Sequence, residues 1–319
     1  MSSRLARQKA LDHCKSVCKS YFEGLALNVD FDQPITTDVA WTPHVIAVNA
    51  EKYGIDIKVK PKLDPFWLKV YKADVKPVIP SVNIVIAFPF NIALQLSLKD
   101  LQSYFENELS VIVVYDNTLD LFAKGSSNSA ALTANGLVRS LRDKKANLLS
   151  NALNSCPRGR VSFSQFEQVC LDIFRTLFIP PLSAPYIQPN TLLGLRRRDH
   201  VFPNHAKQGF WFETKQDYRA TCILLECKNL NSPISVNEID DALKYLHEKG
   251  IGLFGILISR TATDRNAKAQ QVSKWKDESK LVVDLQDNDL LEMIELYRNL
   301  EDPTEVIQNK IDEFMLRVI

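Results

Sequence analysis

The sequence predicts an α/β chain built from two units, each a central sheet flanked by helices. Three observations lead there. Short apolar or alternating runs of strand type are interleaved with stretches of helical period along nearly the whole length. The order helix, two or three strands, helix, strand, helix, strand is spelled twice, with no sequence identity visible between the copies. Length agrees: 319 residues is long for one domain and suits two of average size.

Residues 4–23 form the first amphipathic helix, with Leu5, Leu11, Cys14, Val17, Cys18 and Tyr21 on one stripe. Three β-like runs follow at 36–41, 44–48 and 53–59, the last two joined by the polar turn Asn49, Ala50, Glu51, Lys52. A helix near 65–73, a buried-type strand at 83–88, a helix over 98–109 and a strand at 111–115 complete the first unit. Gly, Ser, Ala and Asn dominate 124–136, which reads as a loop or linker. A polar helix over 137–153 then leads to Cys156-Pro157-Arg158-Gly159, the best boundary. The expected division is therefore 1–123, a linker and connecting helix over 124–158, and 159–319.

The second unit opens with a helix capped by Ser162 or Ser164, whose Phe163, Phe166, Val169, Cys170, Ile173, Phe174 and Leu177 share a face. A proline-rich loop over 179–189 ends it. An extended stretch, 192–202, precedes 218–228 (YRATCILLECK), the strongest strand signal in the chain. After it come a helix (236–248), a strand (253–259), a helix (266–278), a strand (281–285) and a helix (289–300). Past Asp302-Pro303 lies a last helix, 304–318.

An apolar fraction of 45% supports full cores, and 24% charged residues is ordinary for a soluble chain. With a net charge of +1, any contact with nucleic acid must come from local patches, of which Arg196, Arg197 and Arg198 are the clearest. No signal-peptide core and no membrane-length run is visible, so a cytoplasmic chain without a membrane partner is expected. Cys14 and Cys18 stand four apart on a helix, but no matching Cys/His pair follows. Buried thiols are the favoured reading over zinc. With only 10 glycines, no P-loop and no Gly-rich dinucleotide loop, a small-molecule α/β enzyme is the weaker expectation.

Chemistry concentrates at Glu226. An acid two residues before a lysine is a weak pattern, with roughly three copies expected by chance at this composition. Here it occurs at Asp56, Asp74, Asp143, Glu213, Glu226 and Glu278. Asp143 and Glu278 fall on polar helical stretches, Asp74 just before Pro77, and Glu213 in a polar turn, all readily solvated. Glu226 instead ends Cys222-Ile223-Leu224-Leu225, a run suited to a strand buried on both faces. Side-chain alternation sends Glu226 and Lys228 to one face and Cys227 to the other.

A carboxylate and an ammonium in that setting lose hydration and need compensation, either as a structural ion pair or from a metal and a phosphate. Asp199 tips the balance. It follows the arginine triplet on the preceding extended segment, and an antiparallel hairpin between the two segments lays it beside Glu226. Two carboxylates and a lysine suit phosphodiester hydrolysis. Asp199, Glu226 and the Cys227 carbonyl supply hard oxygen ligands for Mg²⁺, for which Mn²⁺ can substitute, and Lys228 orients the attacking water.

The order apolar helix, Asp199, strand ending Ile223-Leu224-Leu225-Glu226-Cys227-Lys228, helix, strand 253–259 resembles the PD-(D/E)XK, or restriction-endonuclease-like, nuclease superfamily. It does so over about residues 160–300. The resemblance implies a mixed central sheet flanked by helices in each unit, Asp199 and Glu226 as metal-binding acids, and Lys228 as the motif lysine. It also points to Glu167 on the first helix as a further acid and to Asp241 after the motif as a polar helper. For both, a solvated helix-face carboxylate is the more economical reading.

Arg198 stands where the motif usually has proline. The long gap from Asp199 to Glu226 leaves an insertion, 204–217, with His205, Phe210 and Trp211, able to cover the site or grip substrate. His200 and His205 belong to no motif of their own. The first unit echoes the pattern. Asp38 precedes a strand pair, and Asp56-Ile57-Lys58 ends Tyr53-Gly54-Ile55, with Asp56, Lys58 and Lys60 on one face. A degenerate copy used for binding is favoured there over a second active site.

By this resemblance the expected activity is Mg²⁺-dependent nuclease action, with DNA the first substrate and restriction, anti-phage defence or repair the usual settings. The rival is a non-catalytic nucleic-acid- or protein-binding module on a decayed nuclease fold. A homodimer and a partner protein both stay open.

Overall fold

The computed structural model describes residues 3–34, 41–61, 65–125, 127–187 and 200–318. It divides into two compact units, Met1–Arg142 and Asp143–Ile319.

In the first unit α1 (Ser3–Gly24) covers one face of a six-stranded sheet. The strands are β1 (Asn28–Phe31), β2 (Val45–Val48), β3 (Lys52–Ile57), β4 (Val82–Pro89), β5 (Ser110–Val114) and β6 (Leu119–Phe122), neighbours in that order. β1/β2, β2/β3 and β5/β6 are antiparallel; β3/β4 and β4/β5 are parallel. Alternation along the strands decides the layers. Ile55, Ile57, Val85 and Ala87 pack with Cys14, Cys18 and Phe22 of α1. On the other face Ile84, Ile86 and Phe88 meet Ala130, Ala134, Leu137 and Leu141 of the long helix after β6 and three shorter helices. These are α2 (Pro65–Val70), which runs into a π-helical turn (Tyr71–Val75), α3 (Phe90–Ala93) and α4 (Leu98–Glu106).

The long helix α5 (Ala130–Ser155) carries residues of both units. It begins earlier than its Gly/Ser-rich composition suggests. The Ser129 hydroxyl accepts from the Leu132 N–H (3.2 Å), and the alanines behind it are strong helix formers.

The second unit has a 3₁₀ turn (Arg160–Ser162) leading into α6 (Phe163–Phe178), and a five-stranded sheet. Its strands are β7 (Tyr186–Ile187), β8 (His200–Pro203), β9 (Cys222–Lys228), β10 (Phe254–Ser259) and β11 (Leu281–Gln286), neighbours in that order. β7/β8 and β8/β9 are antiparallel, β9/β10 and β10/β11 parallel. Helices α7 (Phe210–Asp217), α8 (Val236–Leu243), α9 (Arg265–Glu278), α10 (Asp287–Arg298) and α11 (Thr304–Val318) complete it. Ile223, Leu225 and Cys227 face the core shared with α6, α10 and α11, and Leu224 the one shared with α8.

Both units are thus α/β with a mixed sheet flanked by helices, as the resemblance implies. The runs β2-β3-β4-β5 and β8-β9-β10-β11 share one series of antiparallel, parallel, parallel pairings, so β3 and β9 are counterparts.

Several elements differ from expectation. Of the strand expected at 36–41, residues 36–40 lie outside the described residues. The sheet's first strand is β1, and β6 is also unanticipated; both are short and half-polar. The insertion 204–217 is no loose flap. It holds α7, whose Trp211 is 2% exposed and packs on Phe178 with ring centroids 5.0 Å apart. Buried Asn204 fixes it by donating to the Trp211 carbonyl (2.7 Å) and the Ala220 carbonyl (3.1 Å). Among the described residues no helix is long and apolar enough to cross a membrane.

Candidate active site at the end of the central strand

β9 is the central strand of its sheet. In parallel register Glu226 lies opposite Leu257, and on the antiparallel side Leu225 pairs with His200. Glu226 ends an apolar run yet is only 6% exposed. Lys228, two residues on and on the same face, places Nζ 2.8 Å from Glu226 Oε1. The other carboxylate oxygen, Oε2, is buried with no hydrogen-bond partner among the described residues. Such an orphan is uncommon, because an unpartnered buried oxygen loses its hydration without replacement.

Burial pushes the Glu226 carboxyl above its ordinary value, and the nearby Asp241 carboxylate adds to that. Lys228 and then Lys244 pull the other way without reversing it. Asp241, on α8, is thus brought into electrostatic reach of Glu226, while its own ion pair is with Lys244. The Lys228 carbonyl accepts from Arg260 N–H (3.3 Å) beyond β10. Successive carbonyls alternate along a strand, so that of Cys227 is directed to the β8 side.

Glu167, on α6, is buried but engaged elsewhere. Its Oε1 lies 3.5 Å from Nε2 of His200, itself 2% exposed, on the sheet face opposite Glu226. Asp199 and Arg196, Arg197 and Arg198 lie outside the described residues, as does Asp38. Among the described residues no group of three or more His, Cys, Asp or Glu side chains is placed to hold a metal.

The oxygens that are described nonetheless fit one. A buried carboxylate oxygen without a partner among the described residues and a backbone carbonyl of the same strand are hard donors of the type Mg²⁺ takes. Of the other acid–x–lysine copies, Asp74, Asp143, Glu213 and Glu278 are exposed and behave as solvated charge. Glu278, for example, sits at the surface between Lys274 and Lys280, which hold its pKa down to about 2.

The first unit's counterpart is built differently. Val45 pairs with Ile55 across β2 and β3, which sets His44, one residue before β2, against Asp56. His44 Nδ1 is 2.6 Å from Asp56 Oδ1, and Lys58 Nζ is 2.5 Å from Oδ2. Lys58 also lies over the Trp67 ring (5.1 Å), which stacks on Tyr71. Burial works to raise the Asp56 pKa, but the hydrogen bonds and charges of His44 and Lys58 outweigh it and hold the carboxyl below its ordinary range. Both oxygens are therefore taken by side-chain nitrogens. Sequence reading missed His44, although counting back from the hairpin turn points to it.

No family model matches the chain. Over 165 residues, half of the chain, it is 25% identical to the putative transposon gamma-delta 80.3 kDa protein of Escherichia coli (strain K12). That match covers 23% of the relative, so the chain spans about a quarter of the length of the curated protein it resembles. Among solved structures, 64% of the chain aligns with 38% of the restriction endonuclease FokI, at 13% identity and a TM-score of 0.36. At that identity and score neither likeness says what this chain does.

Proposed function

We propose that the second unit is a metal-dependent nuclease centred on Glu226 and Lys228, with Asp199 as the second acid. The observation that carries this is the orphaned Oε2 of Glu226 beside Lys228, at the exit of a central strand. A structural ion pair needs no spare buried oxygen. A cation site does.

The pairing of the two strands ends at His200 opposite Leu225, and Asp199, which lies outside the described residues, is proposed as the acid that meets Glu226. On this reading Asp199, Glu226 and the Cys227 carbonyl hold Mg²⁺ or Mn²⁺, which when bound supplies Lewis acidity at a phosphoryl oxygen. Lys228 hydrogen-bonds the attacking water and offsets charge developing on the phosphate, while Glu226 keeps that ammonium in place. Arg196, Arg197 and Arg198 are proposed to hold nucleic-acid phosphates. The first unit, its acid closed by His44 and Lys58, is assigned a binding role.

Cleavage of plasmid, linear and single-stranded DNA and of RNA with Mg²⁺ or Mn²⁺ tests the assignment. Glu226→Ala and Asp199→Ala are expected to abolish it, and Lys228→Ala to slow it by at least about 100-fold. Asp56→Ala should leave the second unit's chemistry in place. Loss of cleavage in Asp56→Ala with retention in Glu226→Ala would place catalysis in the other unit.

A further inference from the structure

Beside Lys228 lies a cleft of about 410 Å³, lined by Arg160, Phe163, Lys228, Asn229, Leu230 and Glu238. Its volume falls within the range of ordinary ligand sites, roughly 300–1,000 Å³. We propose that this cleft receives the nucleic-acid phosphate next to the scissile one, with Arg160 as its principal ligand. The inference rests on the nuclease reading of Glu226 and Lys228 and extends it to a residue outside the motif.

The geometry that delivers Arg160 is elaborate for a mere connection. The strap from Cys156 to Gly159 is tied to the ends of two strands by buried polar groups. Asn229, fully buried just past β9, donates to the Pro157 carbonyl (3.0 Å) and accepts from the Gly159 N–H (3.1 Å). Arg260, past β10, donates to the Cys156 carbonyl (3.1 Å) and places Nε 2.8 Å from Asp287 Oδ2. Gly159 sits at φ +102°, where a side chain is strained.

The outcome is an exposed Arg160 at the cleft's edge which, unlike Arg158 and Arg260, has no ion pair among the described residues. An unpaired guanidinium matches a phosphate's two oxygens in a fork. The cleft's one carboxylate, Glu238, is turned to capping α8, accepting from Ser235 N–H (2.9 Å) and Oγ (2.5 Å). Phe163 and Leu230 leave an apolar wall suited to a sugar or base edge.

The test uses the full chain and labelled oligonucleotides, single-stranded and duplex, titrated by fluorescence anisotropy in EDTA over a range of salt. Arg160→Ala is expected to weaken binding by about tenfold and to flatten the salt dependence by about one ion, with Arg160→Lys recovering part of it. In turnover with metal, Arg160→Ala should raise KM far more than it lowers kcat. Lys249→Ala, an exposed charge in a turn, controls for net charge, and unchanged melting checks the fold. If Arg160→Ala binds and turns over like Lys249→Ala while the wild type cleaves, the subsite is wrong and the nuclease reading stands. If Arg160→Ala weakens binding but the wild type cleaves nothing, Arg160 stands as a phosphate ligand and the nuclease reading falls. A wild type that binds no oligonucleotide of either form overturns the subsite.

Discussion

Two buried carboxylates at equivalent strand positions carry opposite electrostatic signatures. Glu226 has its pKa raised, so the folded state holds that proton longer than the unfolded chain does. Stability therefore falls as pH rises from the ordinary value of 4.5 through the folded one. Glu226→Gln removes that loss and should raise the neutral-pH melting temperature, by about 1 kcal/mol in stability. Asp56 has its pKa lowered, so its contribution is present above the ordinary value of 3.8 and is lost as pH falls below it. Asp56→Asn removes the carboxylate that His44 and Lys58 share and should cost about 2 kcal/mol, the partial exposure of both partners limiting the loss. Thermal melts of the two variants at pH 7 must move in opposite directions. His200 adds a third case. Burial pushes its pKa down against the pull of Glu167, so the unfolded chain takes up the proton first and stability drains away below the ordinary 6.5. His200→Leu should flatten the fall in melting temperature between about pH 7 and 5.

At the level of elements, legibility followed how far local pattern and tertiary context agreed. β9, β10 and α6 were readable because a central strand buried on both faces is nearly continuous in apolar residues and a core-facing helix repeats them at helical period. β1 and β6 were not, since four half-polar residues at a sheet edge carry little signal. α7 reads as a polar insertion because only Trp211 and its neighbours give it a buried face. The Glu226–Lys228 half of the site was legible from strand parity; His44 was not, because it became meaningful only through register. Since α7 is anchored by Trp211 rather than free to open, Trp211→Ala should destabilise the protein by about 3–4 kcal/mol in denaturant melts. A mobile lid would instead show altered KM with little change in melting.

Across the whole molecule, one core arrangement appears twice, and the proposed function gives the two acids different partners, with Asp199 assigned to Glu226 in the second unit. In the first unit the partner position is a histidine. If that substitution is what closes the copy, His44→Asp should reopen it. In a Glu226→Ala background the variant is expected to melt at a lower temperature than its parent and to regain stability on adding Mn²⁺, as two facing carboxylates acquire a cation. The parent should show no such metal-dependent shift. A variant indifferent to Mn²⁺ would mean that more than this residue separates the copies.

The free cysteines of the two cores carry a further consequence. Cys14 and Cys18 lie fully buried beneath the first sheet, with thiols pushed up to about 11 and about 12. At neutral pH hardly any thiolate forms there, and no reagent reaches it while the sheet is covered. Cys170 and Cys227 are equally enclosed in the second unit. Each unit therefore carries its own covalent stopwatch. The rate at which an alkylating reagent marks Cys14 and Cys18, set against its rate at Cys170 and Cys227, reads how often each core opens, peptide by peptide, with no label added to the chain.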